Sequence, residues 1–63
     1  MKRPEKGDTR TLLRKTFLHK GVFVLTGSPV VVMEEKADGF VVEYRDKEGM
    51  VHYIEGIQDS ELQ

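Results

Sequence analysis

The stretch that decides the fold is ADGFVVEYRDKEGMVHYIEG, residues 37–56. Two runs within it, 40–45 and 50–55, are rich in β-branched and aromatic residues, which is typical of strands. An Asp-Gly pair precedes the first run, and the Asp-x-x-Gly segment 46–49 between the runs has the pattern of a type I turn that often closes into a bulge. The sequence therefore predicts a β-hairpin over residues 40–55.

The first strand of this hairpin has one uncharged face. Side chains alternate between the two faces of a strand, so Phe40, Val42 and Tyr44 lie together. The other face carries Glu43 and Arg45. We therefore expect the first set to point into the core.

The register of the hairpin is open between two alternatives, because a slip of one residue moves every side chain to the opposite face. With a loop of four residues, Arg45 pairs with Met50 and the odd-numbered residues of the second strand, including Tyr53, face the core. With a bulge in the turn, Asp46 pairs with Met50 and the even-numbered residues, including Ile54, face the core. We favour the first register, because it keeps the strand's histidine at the surface opposite an acidic residue.

Strand signals continue on both sides of the hairpin. The runs GVFVLT (residues 21–26) and VVVMEE (residues 30–35) are apolar and β-branched, and the Gly-Ser-Pro segment 27–29 separates them. Residues 57–62 are predicted to form one helical turn or a last short strand. Short strands joined by tight turns predict an antiparallel meander over residues 21–57 that closes into a small barrel.

Residues 9–20, TRTLLRKTFLHK, fit two structures. A helix is favoured, because Asp8 can cap it, Leu13 and Phe17 are four residues apart, and Gly21 stands where a helix would end. Three threonines and a phenylalanine also suit an extra strand. Both alternatives stay open at this point.

The chain is predicted to be a single domain. Residues 1–8 form a flexible basic N-terminus, and residues 9–63 form one small β-barrel domain, in which 9–20 is a basic helix or strand and 21–57 is the meander. A chain of 63 residues buries only about 60% of its unfolded surface. It has no Cys to form disulfides or thiolate metal sites, so stability must come from a good small core or from self-association.

The segment 21–62 resembles the small bacterial SH3-like barrels, a group that includes KOW and Tudor-type modules. The resemblance rests on GVFVLTGSPVVVMEE, on ADGFVVEYRDKEGMVHYIEG and on the closing QDSEL. It implies a mainly β fold, a small SH3-like barrel of four to five antiparallel strands with a short N-terminal helix or extra strand. Proteins of this group commonly bind proteins or nucleic acids and are rarely enzymes on their own, so the resemblance implies a binding module. This chain departs from the pattern in lacking Trp.

Charge is sorted along the sequence. Residues 1–20 carry seven basic and two acidic side chains, a net charge of +5, whereas residues 21–63 carry three basic and nine acidic ones, a net charge of −6. A basic arm before an acidic body either binds a polyanion or folds back on its own body. For RNA or DNA, the candidate contacts are Arg10, Arg14, Lys15 and Lys20, and the nine carboxylates argue against DNA as the main partner.

No residue pattern points to catalysis. The two serines have no histidine at a recognisable motif spacing, adjacent acids such as Glu34 and Glu35 point to opposite faces of a strand, and the phosphate-binding loop motif is absent. His19 and His52 have no metal-ligand spacing. We therefore expect a protein that is not an enzyme, with no cofactor and no small-molecule substrate.

The favoured function is a binding or adaptor module that engages a protein partner or a second copy of itself. The candidate interface residues are Val41, Tyr53 and Ile54, of which Tyr53 and Ile54 are alternatives, because each register of the hairpin exposes only one of them. The alternative is an RNA- or DNA-binding accessory protein that uses residues 10–20. No apolar run approaches the roughly 18 residues of a membrane span, and no apolar signal segment follows the charged N-terminus, so we expect no membrane partner and a cytoplasmic location.

Overall fold

The computed structural model describes residues 3–18 and 23–63 and confirms a mainly β fold. Its elements are β1 (Thr9–Leu12), β2 (Thr16–Phe17), β3 (Phe23–Val24), β4 (Ser28–Lys36), β5 (Gly39–Arg45), β6 (Val51–Ile57) and a 3-10 turn (Asp59–Glu61). Four strands form an antiparallel sheet in the order β1-β4-β5-β6, and β2 pairs with β3 in a second, two-stranded sheet.

The core of the described residues lies against the inner face of the larger sheet. Phe40 and Val42 are buried there and Tyr44 packs against them, so the predicted core face of β5 is confirmed. The remaining buried apolar residues come from every other strand except β2, and from the C-terminal end: Leu12, Val24, Val30, Val32, Ile54, Ile57 and Leu62.

The hairpin between β5 and β6 has the bulged register, and the four-residue loop we favoured is wrong. The Asp46 N–H donates to the Met50 carbonyl at 2.9 Å, and Gly49 has a φ of 86°. The Asp46 carboxylate also accepts hydrogen bonds from the N–H groups of Glu48 and Met50, each at 2.9 Å, which fixes this turn. This register partly buries His52, which was the reason for favouring the other one. The burial is compensated, because the His52 ring bonds the same carboxylate.

Residues 9–18 contain two short strands, so the helix favoured for 9–20 is wrong and the strand alternative is right; residues 19 and 20 lie outside the described part. β1 pairs with β4 on one side, with Thr9 opposite Val31. On the other side, Thr11 and Gln63 exchange backbone hydrogen bonds of 3.0 and 2.9 Å. These long-range pairings satisfy the backbone of an otherwise open edge, which a helix at Leu12 could not do.

The N-terminal segment lies against β4, although we expected residues 1–8 to be mobile; the structure describes this segment from residue 3. Gly7 N–H donates to the Val32 carbonyl at 2.7 Å, and Val32 N–H donates to the Asp8 carbonyl at 2.8 Å. The Arg3 guanidinium pairs with the Glu35 carboxylate and lies 5.8 Å from the centre of the Phe40 ring. The basic arm therefore folds back onto the body of its own chain.

The C-terminal residues form the helical turn that was one alternative for 57–62, followed by a single β-bridge and not by a strand. Asp59–Glu61 form the 3-10 turn, and Gln58 N–H donates to the Glu61 side chain at 2.9 Å. Leu62 then pairs with Leu12 in an isolated antiparallel bridge. No helix within residues 3–18 and 23–63 is long and apolar enough to cross a membrane.

Candidate functional site

Three large apolar side chains project from β2, β3 and the segment after β3. Phe17 is 68% exposed, Phe23 46% and Leu25 61%. We call these three residues the ribbon surface. Soluble domains bury most large apolar side chains, so a group of three at one place marks a candidate contact surface.

The pairing of β2 with β3 explains this exposure. Phe17 is directly opposite Phe23, and Thr16 is opposite Val24. Because side chains alternate across a strand, burial of Val24 in the core turns both phenylalanines outward. Their rings meet edge to face, with centroids 5.9 Å apart and an angle of 75° between the ring planes. Each ring thus holds the other in place while both stay accessible to a partner.

A groove with a volume of about 500 Å³ adjoins the ribbon surface. It runs between the segment that precedes β4 and the turn that joins β5 to β6. Its lining residues are Phe23, Leu25, Ser28, Tyr44, Asp46, Lys47 and Glu48. The Ser28 hydroxyl donates to the Leu25 carbonyl at 2.7 Å, which fixes one wall. The groove combines apolar walls with a charged rim, the usual composition of a binding site.

A network around Asp46 fixes the opposite wall. One oxygen of Asp46 lies 2.8 Å from His52 Nε2, and the other accepts the two backbone hydrogen bonds of the turn. The His52 ring stacks on Tyr44, with centroids 6.3 Å apart. The hydrogen bond with His52 is the largest cause that lowers the pKa of Asp46; the N–H groups of Met50 and Glu48 act in the same direction, and partial burial acts against them. The rim is therefore built around an ionised carboxylate.

Acidic pH should weaken the network around Asp46 that forms this wall of the groove. The pKa of Asp46 in the folded protein lies below its unfolded value of about 3.8, so its stabilising effect is present above that pH and is lost as the pH falls through the folded-state pKa. We expect Asp46→Asn to lower the melting temperature at pH 6, with a difference from the native protein that shrinks from about pH 4 downwards. Thermal unfolding followed by circular dichroism at several pH values measures this.

The control for this prediction is Asp59→Asn, which removes the same charge outside the hairpin. If the melting difference between the native protein and Asp46→Asn stays constant from pH 6 down to about pH 2, the assigned hydrogen bonds do not stabilise the ionised form.

The candidate nucleic-acid residues are not gathered into one free patch within the described residues. Arg10 pairs with Asp8 at 3.1 Å, and Arg14 pairs with Glu61 at 3.4 Å and approaches the carbonyl of Gly56 at 3.5 Å. Lys15 is exposed. Lys20 lies outside the described residues. Two of the four predicted cations are thus engaged by carboxylates of the same chain.

The candidate protein-interface residues lie on two different faces. Val41 is half-buried and Tyr53 is 58% exposed, and both are on the outer face of the larger sheet. Ile54 is in the core, 4% exposed, which removes it from the predicted interface; the bulged register is the physical reason.

The ribbon surface itself was missed at the sequence level. Phe17 was used in support of a helix, together with Leu13, and Phe23 was predicted only as part of the apolar strand 21–26. The sequence gives no alternation that would mark this surface, because Leu18 follows Phe17 and a valine stands on each side of Phe23.

Within residues 3–18 and 23–63, no three His, Asp or Glu side chains are grouped to hold a metal ion. The chain matches no protein-family model, no curated protein and no solved structure. What it binds is therefore inferred from its own surface chemistry.

Proposed function

We propose that this protein is a non-enzymatic binding module that engages a segment of another protein through the ribbon surface and the adjoining groove. The observation that carries this proposal is the exposed pair Phe17 and Phe23, continuous through Phe23 and Leu25 with a groove of about 500 Å³. Aromatic side chains are enriched at the centres of protein interfaces, where they supply much of the binding energy.

The lining of the groove indicates the chemistry of the partner segment. Leu25 and Tyr44 offer apolar walls, and Lys47 and Glu48 at the rim offer one charge of each sign. Asp46 is already engaged by His52 and by the turn backbone. These features fit an extended peptide that inserts an apolar side chain and carries flanking charged or polar residues.

We also propose that the fold is a small SH3-like barrel. Support comes from β1, which pairs with β4 on one side and with residues 62–63 on the other. Pairing of the last residues with the first strand is what closure of a sheet into a barrel requires. The β2–β3 sheet lies in the chain between β1 and β4, which pair with each other, and the 3-10 turn comes before the residues that pair with β1.

Binding of single-stranded nucleic acid is the second candidate. It is favoured by the exposed Lys15, two residues before the exposed Phe17, because an aromatic ring beside a cation suits stacking on a base and contact with a phosphate. It ranks second because Arg10 and Arg14 are engaged with acidic residues of the chain.

Selection of peptides by the full chain tests the first proposal. We expect random-peptide display to enrich sequences with apolar residues, and NMR titration with such a peptide to shift the amides of residues 17, 23, 25 and 44. Phe17→Ser should weaken binding by roughly 30-fold, the effect of losing an aromatic worth about 2 kcal/mol at an interface centre. Tyr53→Ser, which changes another exposed aromatic residue that does not line the groove, is the matched control and should bind normally.

Two results would count against this proposal. Peptides whose binding is lost in Tyr53→Ser and kept in Phe17→Ser would place the site elsewhere. Salt-sensitive shifts of Lys15 and Phe17 with single-stranded RNA, together with no enriched peptide, would support the nucleic-acid candidate instead.

A further inference from the structure

β6 lies at the edge of the larger sheet. Its strand partner within the described residues is β5, and no backbone hydrogen bond from another described segment covers its outer side. The opposite edge is different, because the C-terminal residues cover β1. Proteins usually protect an exposed edge with charged side chains, Pro or a bulge. In β6 these are confined to Glu55 and to the bulge of residues 55–56, and residues 51–54 contain none of them.

The hydrogen-bond phase of the hairpin shows which backbone groups face outward. Asp46 and Met50 form a hydrogen-bonded pair, and such pairs alternate along an antiparallel ladder. The N–H and C=O groups of His52 and Ile54 therefore point toward β5. The alternate residues of β6 point their N–H and C=O groups away from β5; these residues are Val51, Tyr53 and Glu55.

We infer that β6 pairs edge to edge with β6 of a second copy of this chain, in a two-fold dimer centred on Tyr53. In this register the backbone of Tyr53 bonds the backbone of Tyr53 in the second copy. Val51 lies opposite Glu55 of the second copy, and Glu55 lies opposite Val51. The outward N–H and C=O groups of all three residues are satisfied, and two four-stranded sheets become one.

The side chains of the outer face suit a second copy as the occupant. The two Tyr53 rings, each 58% exposed in a single copy, come to lie side by side. Arg45 is paired with Val51 in the sheet and forms no ion pair among the described residues. Beyond Val51 it meets Glu55 of the second copy. Glu55 also pairs with Lys36 of its own chain at 3.7 Å, but its side chain is exposed, so its carboxylate can contact both cations and opposite charges meet on both sides of the two-fold axis.

Charge substitution at the two-fold axis tests this inference. Tyr53→Lys and Tyr53→Glu each place two like charges directly opposite, so each variant alone should raise the dimer dissociation constant at least about tenfold. An equimolar mixture of the two variants should recover the dimer, because a lysine then faces a glutamate. Sedimentation equilibrium of the full chain measures this against the 7.2 kDa of a single copy, with circular dichroism to show that each variant is folded.

Phe17→Lys is the control, because it lies on the ribbon surface and should leave the dimer intact. Loss of the dimer in Phe17→Lys with retention in Tyr53→Lys would overturn the inference, as would a monomeric native protein at roughly 1 mM. A mixture of Tyr53→Lys and Tyr53→Glu that stays monomeric would also overturn it. Hydrogen exchange gives a second readout: the Val51 and Tyr53 amides should gain protection with concentration, whereas His52 and Ile54 are protected throughout.

Discussion

Gly39→Ala is expected to destabilise the protein by about 3 kcal/mol or more, a large part of the roughly 3–9 kcal/mol available to a chain of this length. Gly39 begins β5 directly after the turn from β4 and has a φ of 135°, a conformation that side chains rarely adopt. A Cβ atom at this position would lie 2.9 Å from the carbonyl carbon of Gly56 and 2.9 Å from the carbonyl oxygen of Ile57. Both contacts are backbone atoms of β6, so relief requires movement of the strand.

The matched control separates backbone strain from close approach. Gly27 has a φ of 97°, and a Cβ atom there would meet nothing within 4 Å. Gly27→Ala should therefore show the strain alone, about 1 kcal/mol. Urea denaturation of both variants measures the difference. Equal losses at the two positions would show that contact between β5 and β6 at Gly39 is not tight.

The folding pattern that could be read from the sequence is local. Strand alternation assigns Phe40 and Val42 to the core, and the turn signals locate the ends of β5 and β6 to within about two residues. These features depend on residues close together in the chain. The start of β4 at Ser28 was missed, because Pro29 was taken as a break; at the beginning of a strand it is tolerated opposite Thr11.

The features that could not be read depend on distant partners. β1 is a strand because β4 and the C-terminal residues satisfy its backbone, and nothing within residues 9–12 requires this. The bulged register of the hairpin brings Asp46 and His52 together, and their bond compensates the partial burial of a histidine. The basic arm shows the same limit: its charge was evident, but its pairing with Glu35 and Glu61 requires the fold.

For the candidate site, the residue types could be predicted from the sequence, but their positions in the fold were predicted wrongly. Phe17 was predicted in a helix and Phe23 in the strand 21–26, so their pairing across the ribbon was not predicted. The favoured register placed Ile54 at the surface and Tyr53 in the core, whereas Ile54 is buried and Tyr53 is exposed. A shift of one residue in register accounts for the error at Ile54, because it exchanges the two faces of β6.

Ile54→Ala tests this exchange directly and should destabilise the protein by about 2–5 kcal/mol, enough to unfold a substantial fraction of so small a domain. Ile54 is 4% exposed and lies opposite Val42 in the core, so truncation leaves a cavity that the surrounding strands can fill only partly. Tyr53→Ala, one residue away and 58% exposed, should change the stability of the single copy by less than about 1 kcal/mol.

The difference in stability between these two variants should depend on protein concentration. At low micromolar concentration, where a dimer through β6 would be dissociated, chemical denaturation should rank Ile54→Ala far below Tyr53→Ala. At high concentration the native protein gains stability from the dimer by mass action, so the stability that Tyr53→Ala loses relative to the native protein should grow. Ile54→Ala should still show the loss that its cavity causes. A larger loss for Tyr53→Ala than for Ile54→Ala at low concentration would instead require the four-residue loop, with Tyr53 in the core.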